Sequence, residues 1–324
     1  MPHLTYLEAI RQGIWEEMER DRSVFLLGED IGSYGGAFNV TAGMLEKFGE
    51  DRVIDTPISE SAIVGAAIGA ALMGMRPVAE MQFMDFISCG FDQIVNMAAK
   101  IHYRWGAAVP MVIRGPSGAG VHGGPFHSQS NEMWFVHVPG LKVVAPSTAY
   151  DAKGLIKASI RDHNPVIFYE HKYLYRRIKE DVPEQDFVVP LGKAAVRREG
   201  ADIALITYGA MVWTALEAAD MLANEGISLE VVDLRTLLPY DERCVLSSVR
   251  KCSKVMLLHE DTRIGGLAGE IAALIAEKAF DDLDGPIVRV TAPDTPVPFS
   301  PPLEEYYLPN VQKIADAARQ LAAY

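Results

Sequence analysis

The stretch Asp55-Thr-Pro-Ile-Ser-Glu-Ser-Ala-Ile-Val-Gly-Ala-Ala-Ile-Gly-Ala-Ala-Leu-Met-Gly74 decides how the chain is read. Residues 52–55 have the character of a strand end, Pro57 turns the chain, and Ser59 stands at a helix N-cap position with Glu60 in the first turn. The helix that follows is made almost wholly of small residues, with Gly65, Gly69, Ala66, Ala70 and Ala71 recurring three and four apart and no charge before Arg76. Glycine costs about 1 kcal/mol in a helix relative to alanine, so two of them imply that another backbone comes very close. The helix is therefore expected to be buried, with the Glu60 carboxylate at its mouth. Such a carboxylate can simply complement the helix dipole. At the rim of an apolar helix it can instead be desolvated, which raises its pKa and suits it to exchange a proton with a bound ligand.

Upstream, Leu7, Ile10, Ile14 and Met18 mark a helix over 4–20, and a short strand over 24–27 runs into the acidic loop Gly28-Glu29-Asp30-Ile31-Gly32. Parallel α/β sheets place ligand contacts beyond the carboxyl ends of their strands, which gives Glu29 a ligand-side reading beside that of an ordinary loop carboxylate. Downstream, the pattern predicts a strand over 76–83, a loop and long helix through His102, and a strand over 109–114. The glycine string that follows contains GxGxxG at Gly118, Gly120 and Gly123. A dinucleotide fingerprint needs a helix starting inside the motif and an acidic residue about 20 positions on, and Gly124-Pro125 follows instead. The better reading is a glycine-rich loop delivering His127, since an imidazole, with an ordinary pKa near ~6.5, can give or take a proton at working pH. The alternative is a histidine capping a helix that starts near Ser128. His122 has no third partner of metal-ligand type.

A helix over 150–161 and a strand over 166–170 continue the alternation, and the charged residues 178–189 read as a linker. A second unit follows, with strands over 203–207, 229–233, 254–259 and 287–290 separated by helices over 211–225, 242–251 and 267–280. Residues 293–302 are expected to wrap over the surface before a last amphipathic helix over 311–323. The fold class is thus α/β, with two parallel-sheet domains over 1–185 and 186–324.

With 324 residues, 49% hydrophobic and 23% charged, the chain is long enough for both domains. A formal charge of −13 argues against nucleic acid or an anionic membrane as partner, and Arg176-Arg177 and Arg197-Arg198 are only isolated pairs. The N-terminal residues lack the pattern of a secretory signal, and the apolar run over 62–75 is too short to span a bilayer. Cys89, Cys244 and Cys252 read as reduced thiols, and the expected location is cytoplasmic.

Thr56-Pro-Ile-Ser-Glu60 with its Gly/Ala helix, followed by Ala79-Glu-Met-Gln-Phe-Met-Asp-Phe86, resembles the pyrimidine-binding domain of thiamine-diphosphate enzymes. With Gly123-Gly-Pro-Phe-His-Ser-Gln-Ser130, Pro139-Gly-Leu-Lys-Val-Val-Ala-Pro146, Asp151-Ala-Lys-Gly154, Val232-Asp-Leu-Arg235 and Ala292-Pro-Asp294, the chain is similar from about Thr5 onward to the β subunits of 2-oxo acid dehydrogenases. The resemblance implies a transketolase-like pyrimidine-binding domain and a transketolase C-terminal-like domain used for dimerisation and docking. It implies that Glu29, Ile58, Ser59, Glu60, Gln82 and Phe86 meet thiamine diphosphate, and that Glu60 and His127 are catalytic. Phe83, Met84, Asp85, Phe86 and His127 would meet a 2-oxo acid, a branched-chain one being favoured. Some family members hold potassium near the positions of Asp162 and Asn164, which read equally well as a polar turn before Pro165.

Single-chain relatives carry a Gly-Asp-Gly segment and a later asparagine for magnesium, and this chain has no such segment. The resemblance therefore implies that an α subunit holds the metal and the diphosphate in an α2β2 heterotetramer, and that a lipoyl acyltransferase core receives the acyl group. The alternatives are the β subunit of a pyruvate or acetoin dehydrogenase, or a non-catalytic assembly subunit.

Overall fold

The strand Val24–Gly28 is buried along its whole length, as an apolar run must be in a parallel sheet covered on both faces. It belongs to the first of two units into which the computed structural model, describing residues 1–324, divides: Met1–Ser117 with Trp134–Leu191, and Gly118–Met133 with Gly192–Tyr324. Within the first unit the strands lie in the order Lys142–Val144, Val166–His171, Val112–Ser117, Arg76–Glu80, Val24–Gly28, Val53–Asp55, each pair parallel. From Val24–Gly28 the chain runs outward to Val53–Asp55, then crosses back to Arg76–Glu80 on the other side. The carboxyl ends of Val24–Gly28 and Arg76–Glu80 thus flank the topological switch point, where open parallel sheets bind ligands.

Helix Tyr6–Arg20 starts with a capping box, in which Thr5 and Glu8 satisfy each other's backbone N–H groups. It packs so tightly on helix Ala149–Arg161 that a Cβ on Gly13 would come within 2.5 Å of Ile156 Cγ2. The buried ammonium groups of Lys153 and Lys157 both reach Glu16, which is what makes burying them tolerable. Within the expected linker, Lys179–Asp181 forms a short strand antiparallel to His3–Thr5. Three charged residues give no apolar alternation from which to read it.

In the second unit the order is Val288–Ala292, Val255–Thr262, Ile203–Thr207, Leu229–Asp233, Ala195–Arg198. The first three pairs are parallel, and Ala195–Arg198 joins antiparallel, a departure from the all-parallel expectation. Its arginine-bearing sequence suits an edge strand, the usual place for an antiparallel addition to a parallel sheet. Helices Met211–Ala223, Glu242–Cys252, Leu267–Lys278 and Val311–Ala322 lie where the periodicity puts them. The surface wrap expected over 293–302 holds through residue 300 and runs into an additional helix, Pro301–Tyr307, opened by two prolines whose missing N–H groups cost nothing at a helix start.

Gly118–Met133, inside the range 1–185 by sequence, packs with the second unit. The reason is local: the Ala119 N–H donates to Glu260 at 2.9 Å, and those of Gly120 and His122 donate to Glu304. Gly118 and Gly120 take φ 81° and 87°, and no helix begins in the GxGxxG string, in keeping with rejection of a dinucleotide loop. Nor does a helix begin near Ser128. A 3-10 turn spans Gly124–Phe126 and the next helix is Met133–Val136.

Candidate active site

Glu29 leaves the carboxyl end of Val24–Gly28 at the switch point and is 5% exposed. Burial raises its pKa first, the negative charges of Glu60 and Asp30 raise it further, and a hydrogen bond from the Ser59 N–H opposes them. Glu29 Oε1 has no hydrogen-bond partner in the chain. Glu29 is thus a buried, desolvated carboxyl beside Glu60.

Ser59 does not cap the helix Glu60–Leu72 with its side chain. At φ −167° and ψ 59° its hydroxyl turns back to donate to the Pro57 carbonyl at 3.0 Å. Glu60 itself is half-buried, at one end of an open groove lined by Ala62, Gly65, Ala66, Cys89 and Gln93. The helix is not enclosed as expected. Ile63, Val64, Ala67, Ile68 and Ala71 face the core, while Ala62, Ala66 and Gly69 are exposed. A Cβ on Gly69 would meet nothing within 4 Å. The glycine that does need its small size is Gly90, where a Cβ would lie 2.9 Å from Val64 Cγ2 and 3.4 Å from the Glu60 carbonyl.

Across the switch point, Gln82 donates to Asp30 Oδ2 at 3.2 Å. Phe83 stands edge-on to Phe86 at 5.9 Å between centroids, and Phe38 edge-on to Phe83 at 5.7 Å, so three half-buried rings make one apolar wall. Phe38 carried no sequence signal, since its glycine-rich surroundings have no period. Met84 has no exposed surface and Asp85 only 4%, so both back the wall rather than line it in this chain. Ile58, at 84% exposure, points away from the core.

Behind the wall, Tyr175 packs on Phe38 at 5.2 Å and donates to Glu170 Oε2 at 2.6 Å. Arg114, 1% exposed, bonds Glu170 with Nε and Nη2 and Glu80 with Nη1. Burial dominates at Glu80 and pushes its pKa up to about 7 against the pull of Arg114. This cluster, drawn from three strands, was not anticipated.

His127 is half-buried in the second unit, its N–H bonded to the Gly124 carbonyl at 3.4 Å. It closes the 3-10 turn and caps no helix at Ser128. His122, at φ 60°, places Nδ1 at 2.7 Å from Glu304 Oε2. Asp162 meets the Lys142 ammonium and accepts hydrogen bonds from the backbone and side-chain N–H groups of Asn164. No group of three or more His, Cys, Asp or Glu could hold a metal ion, and no helix is long and apolar enough to cross a membrane.

The family model described as "Transketolase, pyrimidine binding domain" matches residues 3–177, and that described as "Transketolase, C-terminal domain" matches 192–314. The 2-oxoisovalerate dehydrogenase subunit beta of Bacillus subtilis (strain 168) is 52% identical over 100% of both chains. The chain belongs to the β-subunit family of 2-oxo acid dehydrogenases. Also similar to this β-subunit chain are the pyruvate dehydrogenase E1 component subunit beta of B. subtilis, 44% identical over 100% of both chains, and the acetoin:2,6-dichlorophenolindophenol oxidoreductase subunit beta of Cupriavidus necator. The latter is 49% identical, over 96% of this chain and 95% of its own. Among solved structures, a "Split gene transketolase, inactive beta4 tetramer" superposes with TM-score 0.82, covering 99% of each chain at 23% identity, a likeness of fold alone. The pyrimidine-binding match takes in Glu29, Glu60, Phe86 and His127 of this family member, and the C-terminal match lies within Gly192–Tyr324.

Proposed function

We propose that this β subunit joins an α subunit in an α2β2 enzyme that decarboxylates a branched-chain 2-oxo acid with thiamine diphosphate and passes the acyl group to a lipoyl acyltransferase core. The observation that carries the reading is the orphaned Oε1 of buried Glu29 beside half-buried Glu60. Two carboxyl groups with an unsatisfied acceptor, in a unit that also carries the apolar wall of Phe83 and Phe86, fit an aminopyrimidine, a planar apolar body with polar nitrogens at its rim. They do not fit a diphosphate-bound metal, so the ligands of magnesium are assigned to the α subunit.

When bound, thiamine diphosphate supplies the electron sink for loss of carbon dioxide. Glu60 holds a proton at the pyrimidine N1′ and so sets which ring nitrogen is basic. Glu29, kept protonated to higher pH than a free carboxyl, can donate through Oε1 without adding a second negative charge beside Glu60. Phe86, backed by Phe83 and Phe38, fixes the plane of the ring. His127 steadies the substrate or moves a proton during transfer to the lipoyl group. The exposed Ala62, Ala66 and Gly69 offer the α subunit a surface on which backbones can come close.

Identity to the 2-oxoisovalerate relative supports a branched-chain substrate over the pyruvate and acetoin alternatives. The test is to purify the chain with its α subunit and assay 2-oxoisovalerate, pyruvate and acetoin with a dye acceptor, with and without thiamine diphosphate. 2-Oxoisovalerate should be turned over fastest and only with the coenzyme. Acetoin as the fastest substrate, or equal rates without coenzyme, would overturn the proposal.

A further inference from the structure

The loop that carries His127 is tied on both sides to carboxylates of the second unit. Glu304, 1% exposed, accepts the N–H groups of Gly120 and His122, each at 3.1 Å, and meets His122 Nδ1 at 2.7 Å. Glu260, 7% exposed on Val255–Thr262, accepts the Ala119 N–H at 2.9 Å and the Ser130 hydroxyl at 3.1 Å. Between these anchors the loop folds on itself so closely that a Cβ on Gly123 would lie 2.6 Å from Ser128 Oγ and 3.1 Å from the His127 carbonyl. Residues 119–123 therefore cannot shift without carrying 127 and 128 with them.

The dependence runs both ways. A carboxylate this deeply buried is costly unless hydrogen-bonded, and the loop supplies the donors of Glu304. His122 adopts φ 60°, a conformation that a residue with a side chain keeps only when its surroundings enforce it, and Glu304 grips both its N–H and its ring.

We propose that Glu304 and Glu260 are positioning residues for His127, so that the C-terminal domain fixes part of the catalytic geometry as well as serving assembly. The inference rests on the catalytic role of His127 proposed above, and the test separates the two.

In the complex reconstituted with the α subunit, amide exchange over residues 118–133 and turnover of 2-oxoisovalerate would be measured for Glu304→Ala, Glu304→Gln, His127→Ala and Glu304→Ala with His127→Ala. Losing the carboxylate that accepts two backbone N–H groups and meets His122 Nδ1 should speed exchange at 119–122 by about tenfold or more and lower kcat by about tenfold, with KM changed far less. Glu304→Gln, which keeps one carbonyl acceptor, should recover part of both. Because Glu304 acts through His127, adding Glu304→Ala to His127→Ala should lower kcat by no more than about twofold. Unchanged exchange, or the same fold loss with and without His127, would overturn the positioning role. A wild-type kcat in His127→Ala would instead reject the role of His127 and leave the exchange result to decide whether Glu304 holds the loop. Should Glu304→Ala fail to assemble, Ser130→Ala removes one Glu260 contact at little cost in packing. It should raise exchange at 128–130 and lower kcat by about threefold, and no change in either would overturn the proposal.

Discussion

Arg114 and Glu170 face each other across neighbouring strands of the first sheet, joined by two parallel N–H···O bonds in a setting with almost no exposed surface. Removing the cation leaves the Glu170 carboxylate buried without a counter-charge and drives Glu80 to its neutral form, so Arg114→Met should destabilise the protein by about 3–5 kcal/mol. Adding Glu80→Gln and Glu170→Gln removes the uncompensated charge and should restore most of the loss. A urea midpoint series on the purified proteins checks both, and a triple variant as unstable as the single one would contradict the electrostatic account.

Glu80 makes the same cluster sensitive to pH. Its folded pKa, about 7, lies above the ordinary carboxylate value because burial outweighs the attraction of Arg114. The folded state therefore binds the proton more tightly than the unfolded chain, and this stabilisation is complete at low pH and lost as pH rises through about 7. The upper bound is roughly 3 kcal/mol. Between pH 5 and 8 the wild type should lose stability relative to Glu80→Gln; parallel profiles would contradict the assignment.

Gly69 tests what the small-residue helix is for. Nothing lies near the position its Cβ would take, so Gly69→Ala should leave the chain unharmed or stabilise it by up to about 1 kcal/mol. Gly69→Leu should leave the chain folded by circular dichroism and thermal melting, yet abolish co-purification with the α subunit. Undiminished co-purification would show that this face meets no partner.

What the sequence disclosed depended on the range of the signal. Ile203–Thr207 and Leu229–Asp233 match their expected bounds because an uninterrupted apolar run between turn residues is a local signal. The start of the helix at Glu60 was legible because Pro57 and Ser59 precede an unbroken Gly/Ala run, again a local signal. Arg114, Glu80 and Glu170 were not, since each belongs to a different strand and only the sheet brings them together. Glu304 was hidden for the same reason, 182 residues from the His122 N–H that it accepts. Ser59 does occupy the N-cap position, but its hydroxyl bonds the Pro57 carbonyl in place of the helix, a choice set by the backbone angles at 59. The glycines of the Glu60 helix were read as needing a close neighbour, and the chain by itself does not provide one.

Glu29 should govern affinity for the coenzyme more than turnover. Its buried Oε1 has no hydrogen-bond partner in the chain. Glu29→Ala in the assembled enzyme should weaken thiamine diphosphate binding by about tenfold, the worth of one hydrogen bond in a site shielded from water. Titration by intrinsic fluorescence reads this independently of activity. Unaltered affinity would place Glu29 outside the coenzyme site.

The central claim is that the Glu60 carboxyl moves a proton on the pyrimidine of the coenzyme. Glu60→Gln preserves size and leaves the Glu60–Leu72 helix and its groove in place, so the variant should still assemble with the α subunit and bind thiamine diphosphate. The decisive measurement is its single-turnover rate of 2-oxoisovalerate decarboxylation at saturating coenzyme. A fall of about 10²–10⁴-fold is predicted, the range lost with a general acid–base group. A rate within about twofold of wild type would contradict the account, because a glutamine cannot exchange that proton.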